Sequence, residues 1–173
     1  MLAVALVVLG VVMRLLPHTA NFAPIAAIAL FGAVYLKRRY ALILPVVALL
    51  ISDIFIGFDS LQSRLTVYGS FMLVGLLGLA IRKRKNVATI IGGSLAGSII
   101  FYLITNFAYF YPPTMYPHNL AGVVSSYYNA LPFFRNTLLG DLFYTGLLFG
   151  LYELAVYINK NRGKSVTRAI NTV

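Results

Sequence analysis

Residues 65–85 read Leu65-Thr-Val-Tyr-Gly-Ser-Phe-Met-Leu-Val-Gly-Leu-Leu-Gly-Leu-Ala-Ile81, followed at once by Arg82-Lys83-Arg84-Lys85. The first part carries no charge, and then four cations arrive together. At 1.5 Å per residue the uncharged run makes a helix of roughly 25 Å, close to the thickness of a bilayer's hydrocarbon core. A basic block at one end of such a run marks the end that stays on the cytoplasmic side.

The same punctuation recurs on either side of it. Leu2–Leu16 is ended by Pro17, Pro24–Leu36 by Lys37-Arg38-Arg39, and Ala41–Phe58 runs up to Asp59. Beyond the basic block, Val87–Phe110 stops at Pro112-Pro113 and Thr137–Ile158 leads into a basic tail, 159–173. The expectation is an all-α, polytopic membrane protein: one transmembrane domain over 1–173, a bundle of six transmembrane helices. The first two runs fall short of the usual span of about 20 residues, so they either draw in flanking loop residues or sit in a thinned bilayer. Composition agrees. Of 173 residues 60% are hydrophobic and 10% charged, where a soluble domain carries about 25% charged residues.

Orientation follows from the cations. With the N-terminus cytoplasmic, the inner segments 37–39, 82–86 and 159–173 hold three, four and four Lys/Arg, eleven of the 14. Only Arg14, Arg64 and Arg135 fall to the outer side. The expected location is the cell (inner) membrane, multi-pass, with both termini cytoplasmic. The opening segment lacks the basic n-region of a signal peptide, since Met1–Val12 carries no charged side chain, and His18-Thr19-Ala20 is a poor cleavage site. Met1–Leu16 is therefore read as a retained first helix.

The net charge of +10 is confined to these clusters. It does not form the basic and aromatic stripe of a nucleic-acid binder. Cysteine is absent, which removes disulfides and thiolate metal sites. Gly93-x-x-x-Gly97, Ser94-x-x-x-Ser98 and Ala29-x-x-x-Ala33 place small residues on single helical faces, where backbones approach closely, first of all within the bundle itself.

Ionisable and strongly polar groups inside spans are costly and mark sites or locks. Asp53 lies near the outer end of the third span and Asp141 one turn into the sixth. Arg14 is near the outer end of the first, with His18 and Asn21 following in the connection. Asn106 is near the outer end of the fifth span, with Tyr102 and Tyr109 on its own face at i−4 and i+3. Asn136 and Thr137 open the sixth, and Tyr144 and Thr145 continue the Asp141 face. Separate segments thus bring polar groups to one outer level above almost purely apolar inner halves. That is the pattern of a pocket open to the outside. The candidate ligand-binding set is Arg14, His18, Asn21, Asp53, Tyr102, Asn106, Tyr109, Asn136, Asp141 and Tyr144. A second reading stays open, in which Arg14 with Asp53 or Asp141 is a structural ion pair locking the bundle. Glu153, near the inner end of the sixth span, is expected to pair with Lys160 or Arg162. The long outer loop 111–136, with Pro112, Pro113, Pro117 and Pro132 and an apolar run, is expected to lie over the mouth as a lid or in the interface as an anchor.

Catalytic and nucleotide motifs are missing. Gly163-Lys164-Ser165 lacks the earlier glycine of a phosphate-binding loop, since Ile158 stands there. There is no H-E-x-x-H site and no serine elbow. Gly140-Asp141 resembles part of an intramembrane aspartyl protease signature, but Leu138 stands where the paired glycine would be. No enzyme, metal or cofactor is expected.

Arg14-Leu15-Leu16-Pro17-His18, Asn21-Phe22-Ala23-Pro24-Ile25 and Ala29-Leu30-Phe31-Gly32 resemble the opening of a group of uncharacterised prokaryotic six-span proteins. Ser52-Asp53-Ile54-Phe55-Ile56-Gly57-Phe58 and Asn136-Thr137-Leu138-Leu139-Gly140-Asp141 resemble that group's later motifs. The group in turn is similar to the S components, the substrate-binding subunits of energy-coupling-factor vitamin transporters. That resemblance implies six helices, cytoplasmic ends and an outward-facing site capped by loops. It also implies a small vitamin-like solute as substrate, and a transmembrane coupling subunit and two ATPases as partners. S components present an Ala-x-x-x-Ala face on their first helix, whereas here that spacing falls on the second span and the first offers Ala3 and Ala5. The alternative is a structural or accessory membrane protein without transport activity.

Overall fold

The computed structural model describes the backbone of residues 1–170 and the side chains of residues 1–161. Among them there are six α-helices and no strand: α1 (Leu2–Leu15), α2 (Ile25–Tyr35), α3 (Tyr40–Ile56), α4 (Leu61–Ile81), α5 (Val87–Thr105) and α6 (Leu120–Ile170). Local chemistry sets most of the ends. Pro17 bars Leu16 from the helical region, and Leu16 is extended, at φ −73° and ψ 146°. Gly57, at φ 103°, stops α3 in a conformation that L side chains resist. Ser60 caps α4, its hydroxyl accepting from Ser63 N at 3.1 Å. Asn86 and Thr89 cap α5 reciprocally, each accepting at 2.9 Å from the other's backbone N–H.

The α4, α5 and α6 helices are each long and apolar enough to cross a membrane, while α1, α2 and α3 are shorter apolar helices. Their packing explains why one of the short ones has no polar face. Ten of the 11 residues of α2 are buried, so α2 is the axis of the bundle, packed against α3, α4 and α6. The α1 helix covers α3, and α5 bridges α4 and α6. Around this core the outer faces stay apolar and exposed: Val4, Val8 and Val12 on α1, Leu65 and Leu76 on α4, Phe143, Leu147 and Leu151 on α6. A surface of this kind suits a hydrocarbon solvent.

Close approach between helices depends on missing side chains. A Cβ on Gly75 would sit 2.1 Å from the Ala41 carbonyl oxygen, and one on Gly78 would sit 2.6 Å from the Ala33 Cβ. Gly93 and Gly97 face Ile81, Leu30 and Val74 at 2.9–3.4 Å, and Ser94 and Ser98 are buried. The small-residue faces of α5 and of α2 are therefore intramolecular seams. Ala29 and Ala33 are fully buried and present no surface to a partner. Between α2 and α6, Phe31, Tyr35, Phe149 and Tyr152 form an aromatic cluster with centroids 4.3–5.4 Å apart.

The chain departs from its sequence reading in one long region. The expected fifth span stops at Thr105, not Phe110, and residues 108–110 form a short 3-10 turn. The expected loop 111–136 is helix from Leu120 onward, continuous with the sixth span. Asn119 starts it, its side-chain oxygen accepting from Gly122 N at 2.9 Å. Pro132 lies inside this helix; it forgoes one backbone bond without ending the helix, which packed membrane helices tolerate. Reciprocal bonds hold the added turns against α5: Tyr102 OH donates to Tyr127 O at 2.7 Å and Tyr127 OH to Leu103 O at 2.8 Å. Leu120, Val124, Tyr128 and Leu131 form its exposed apolar stripe. The segment expected to be a lid or anchor loop is thus a helical extension with its apolar stripe facing out.

Gly75→Ala drives a methyl into backbone and is expected to cost about 1–3 kcal/mol, read as a lower midpoint in thermal unfolding of the purified protein. Gly69→Ala, where a Cβ meets nothing within 4 Å, is the control and leaves the midpoint unchanged or slightly raised, since alanine favours the helix. Equal stability of the two variants would refute the α3–α4 contact.

Candidate functional site

The two ends of the bundle differ in charge. At one, Arg82 Nη1 donates to Leu36 O at 2.7 Å and Ala33 O at 3.4 Å, closing the C-terminal carbonyls of α2 with a cation. Beside it Lys85 pairs with Glu153 at 3.3 Å and lies 4.3 Å above the Tyr35 ring, and Tyr35 OH donates to Glu153. Glu153 therefore finds its partners across the bundle, on α2 and after α4, because α6 brings it level with the end of α2. Of the two tail partners that the sequence suggested, Lys160 makes no ion pair with it among the described residues, and the Arg162 side chain lies outside them.

At the opposite end α1 and α3 converge in parallel. Arg14 Nη1 donates to Asp53 Oδ1 at 2.7 Å and to Leu49 O at 3.3 Å, and also to Ser52 Oγ. Ser52 passes its own proton back to Ala48 O and Leu49 O at 2.8–2.9 Å. The second oxygen of Asp53 accepts from Tyr68 OH on α4. Both carboxylate oxygens are thus satisfied, and a charge-assisted network ties α1, α3 and α4 together.

Asp141 makes no part of this pair. It is 3% exposed and its Oδ2 lies 2.6 Å from Ser98 Oγ on α5; one turn on, Thr145 donates to Ser94 Oγ at 3.2 Å. The α5–α6 seam is a file of buried hydroxyls with a carboxyl at the end away from the basic loops. Between the seam and the Arg14–Asp53 pair lies a cavity of about 320 Å³. Arg14, His18, Asn21, Thr137 and Asp141 supply its polar wall, and Phe71, Phe101, Val67 and Leu49 its apolar one. Residues 16–24 reach it as irregular backbone, with Asn21 at φ 64°, a left-handed conformation that asparagine tolerates better than most residues.

Two further cavities share this wall. One of about 310 Å³ is reached through Asn21, Val67 and Phe101 and includes Asn106, Tyr111 and Phe133. The other, about 170 Å³, lies over Asp53 and Tyr68 and reaches Asp59 and Arg64. At this rim the Ser63 hydroxyl and the Ser60 N–H both donate to Asp59 and hold its carboxyl below the usual range. Tyr111 donates to Thr105 O at 2.8 Å, and burial pushes its phenol up.

Of the sequence-predicted set, Arg14, His18, Asn21 and Asp141 meet in one cavity, Asp53 lies behind Arg14, and Asn106 falls in the adjoining space. His18 is an exposed rim residue, its Nδ1 2.6 Å from Leu16 O. Four residues do not join. Tyr102 is spent on Tyr127, as above. Tyr109 stacks on His118 at 4.6 Å and bonds to its carbonyl, because the helix ends before it and the i+3 relation to Asn106 is lost. Tyr144 is buried against Phe22 and Phe143. Asn136 lines none of these three cavities, since Thr137 and Asp141 take the inward face of α6. The residues missed were Ser52, Tyr68 and Ser98, whose partners lie 15–43 positions away. The i, i+4 hydroxyl spacing of Ser94, Ser98 and of Asp141, Thr145 was the one local signal.

Fold and site define an all-helical bundle with an apolar outer surface and a polar, half-enclosed cavity at the end away from its basic loops. The chain belongs to a family of unknown function, DUF6580, whose model matches residues 1–164. No curated protein and no solved structure matches it.

Breaking a desolvated ion pair strands the surviving charge, so Arg14→Met and Asp53→Asn are each expected to cost about 3 kcal/mol. The double variant is expected to cost clearly less than their sum. A double-mutant cycle by thermal unfolding measures this, and additive effects would exclude the pair as a lock.

Proposed function

We propose that this chain is a six-span, solute-binding protein of the cell membrane with both termini cytoplasmic, and that its cavity takes a small polar solute from the outer side. The observation that carries this is the meeting of Asp141, Asn21 and Thr137 with irregular backbone around one cavity of about 320 Å³. Irregular backbone at membrane depth is tolerated where it is buried in protein or lines a wet cavity. A volume of this size suits a single ring with a short substituent.

The alternating course of the helices supports the six crossings. It gathers 37–39 and 82–85 at one end, and the ends of α1, α3 and α5 at the other. The two shortest helices cross by different means: α1 lies against α3, while α2 needs no lipid-facing length because other helices surround it. The resemblance to S components agrees with this arrangement. In that case uptake would draw its energy from separate ATPases through a transmembrane coupling subunit, since the sequence carries no nucleotide-binding motif. Such a subunit would dock on a face other than Ala29 and Ala33. The turns from Leu120 to Leu131 would rest in the outer interface beside the cavity mouth.

The absence of cysteine makes topology directly testable. Single Lys37→Cys and Lys83→Cys variants are expected to resist a membrane-impermeant maleimide on intact cells, and Asp59→Cys and Met115→Cys to react. The reverse pattern on intact cells, with all four sites reacting once the cells are permeabilised, would refute the orientation. Binding is tested with a radiolabelled panel of vitamins and amines of differing charge, applied to the purified protein. Retention of at least one compound, lost on adding the unlabelled compound, is expected; a panel wholly unretained would count for an accessory protein whose polar residues only lock the fold.

A further inference from the structure

The charges around the main cavity do not balance. Arg14 is neutralised by Asp53 at 2.7 Å, and its remaining contacts go to Ser52 and Leu49 O. Asp141 lines the same cavity, is 3% exposed, and among the described residues has no ion-pair partner. Its Oδ2 meets the Ser98 hydroxyl, and among the described residues its Oδ1 takes no hydrogen bond. Ser98 has one proton and two acceptors in reach, Asp141 Oδ2 at 2.6 Å and Ser94 O at 3.1 Å. A carboxyl so far from water needs a positive partner, either a proton or a cation. The one other titratable group on this wall is His18, which is exposed at the rim.

We propose, building on the solute-binding reading above, that the ligand is a small organic ammonium ion whose charged head sits on Asp141. The rest of the wall fits such a guest. Phe71 and Phe101 stand 4.9 Å apart, tilted by 30°, and both line the cavity, giving a cation-attracting and ring-stacking face. Thr137 already donates to Phe133 O at 3.0 Å, so toward the cavity its hydroxyl acts as an acceptor for a second ammonium N–H. An inorganic cation fits poorly. No cluster of three Asp, Glu or His side chains exists among the described residues, while a hard metal ion wants six or more oxygens. An anion fits worse, because Arg14 has its counter-charge and Asp141 would repel it.

Three probes of nearly equal size separate these cases: benzylammonium, benzyl alcohol and benzoate, titrated against the full-length protein in nanodiscs by ligand-observed NMR. Benzylammonium is expected to bind at least tenfold more tightly than either of the others. Asp141→Asn is expected to bring it within twofold of benzyl alcohol, and Asp141→Glu to keep the preference, with thermal unfolding checking that both variants fold. Tightest binding by benzoate, equal binding of all three, displacement of benzylammonium by equimolar sodium, or an unaltered preference in a folded Asp141→Asn protein would each overturn the assignment. Retention of a neutral or anionic panel compound with benzylammonium rejected removes this inference and leaves the solute-binding reading standing. If neither the panel nor the probes are retained, both fall.

Discussion

The architecture turns on α2, a helix shorter than a bilayer's hydrocarbon core is thick and too apolar to meet water. At 11 residues it is roughly 16 Å long, about half a hydrocarbon core, and with ten of those residues buried it has no side to offer lipid. Such a helix is stable only when other helices enclose it and something polar closes each end. Arg82 closes the C-terminal end, donating to the carbonyls of Leu36 and Ala33. Above the N-terminal end the chain runs irregularly through residues 16–24, and the cavity opens there. The depth of the polar site is thus set by the shortness of the helix below it.

Enclosure has steric consequences. The α4 helix comes within reach of the α3 and α2 backbones because Gly75 and Gly78 lack side chains, and Gly93 and Gly97 let α5 close on the side chains of Ile81, Leu30 and Val74; in lipid such close packing is a main source of helix association. Gly75, Gly78 and Gly93 lie toward the basic end of the bundle, and Gly97 adjoins Ser98 at the polar level. The upper bundle is held differently, by the charge-assisted network of Arg14, Ser52, Asp53 and Tyr68. Close packing below and a polar clasp above leave a cavity between α1, α4, α5 and α6 that neither device fills.

Within that upper layer two carboxyls have opposite surroundings. Asp53 has a guanidinium and a phenol, one for each oxygen, and is complete. Asp141 has a single hydroxyl and an open side. Two aspartates that look equivalent in the sequence, each near one end of an apolar run, therefore divide into one with both oxygens partnered and one that leaves an oxygen open beside the cavity.

Much of this was legible in the chain itself. Apolar runs bounded by Pro17, Lys37-Arg38-Arg39 and Arg82–Lys85 located five helices to within a few residues, because a run without charges can hide its backbone only as helix and a cation cannot follow it into lipid. The polar residues nearest the outer ends, Arg14, Asn21, Asp53 and Asp141, could be named for the same reason. The start of α6 was misplaced. The four prolines of 111–136 suggested a loop, whereas contacts with α5, through Tyr102 and Tyr127, make helix the better way to satisfy that backbone from Leu120 onward. Only the tertiary structure decided which acid pairs with Arg14, that Ser98 and Tyr68 attend the two aspartates, and that Tyr102, Tyr109 and Tyr144 turn elsewhere. Burial cost is a property of each residue and can be read along the chain; a hydrogen-bond partner is a property of distance, and these partners lie 15–43 positions apart.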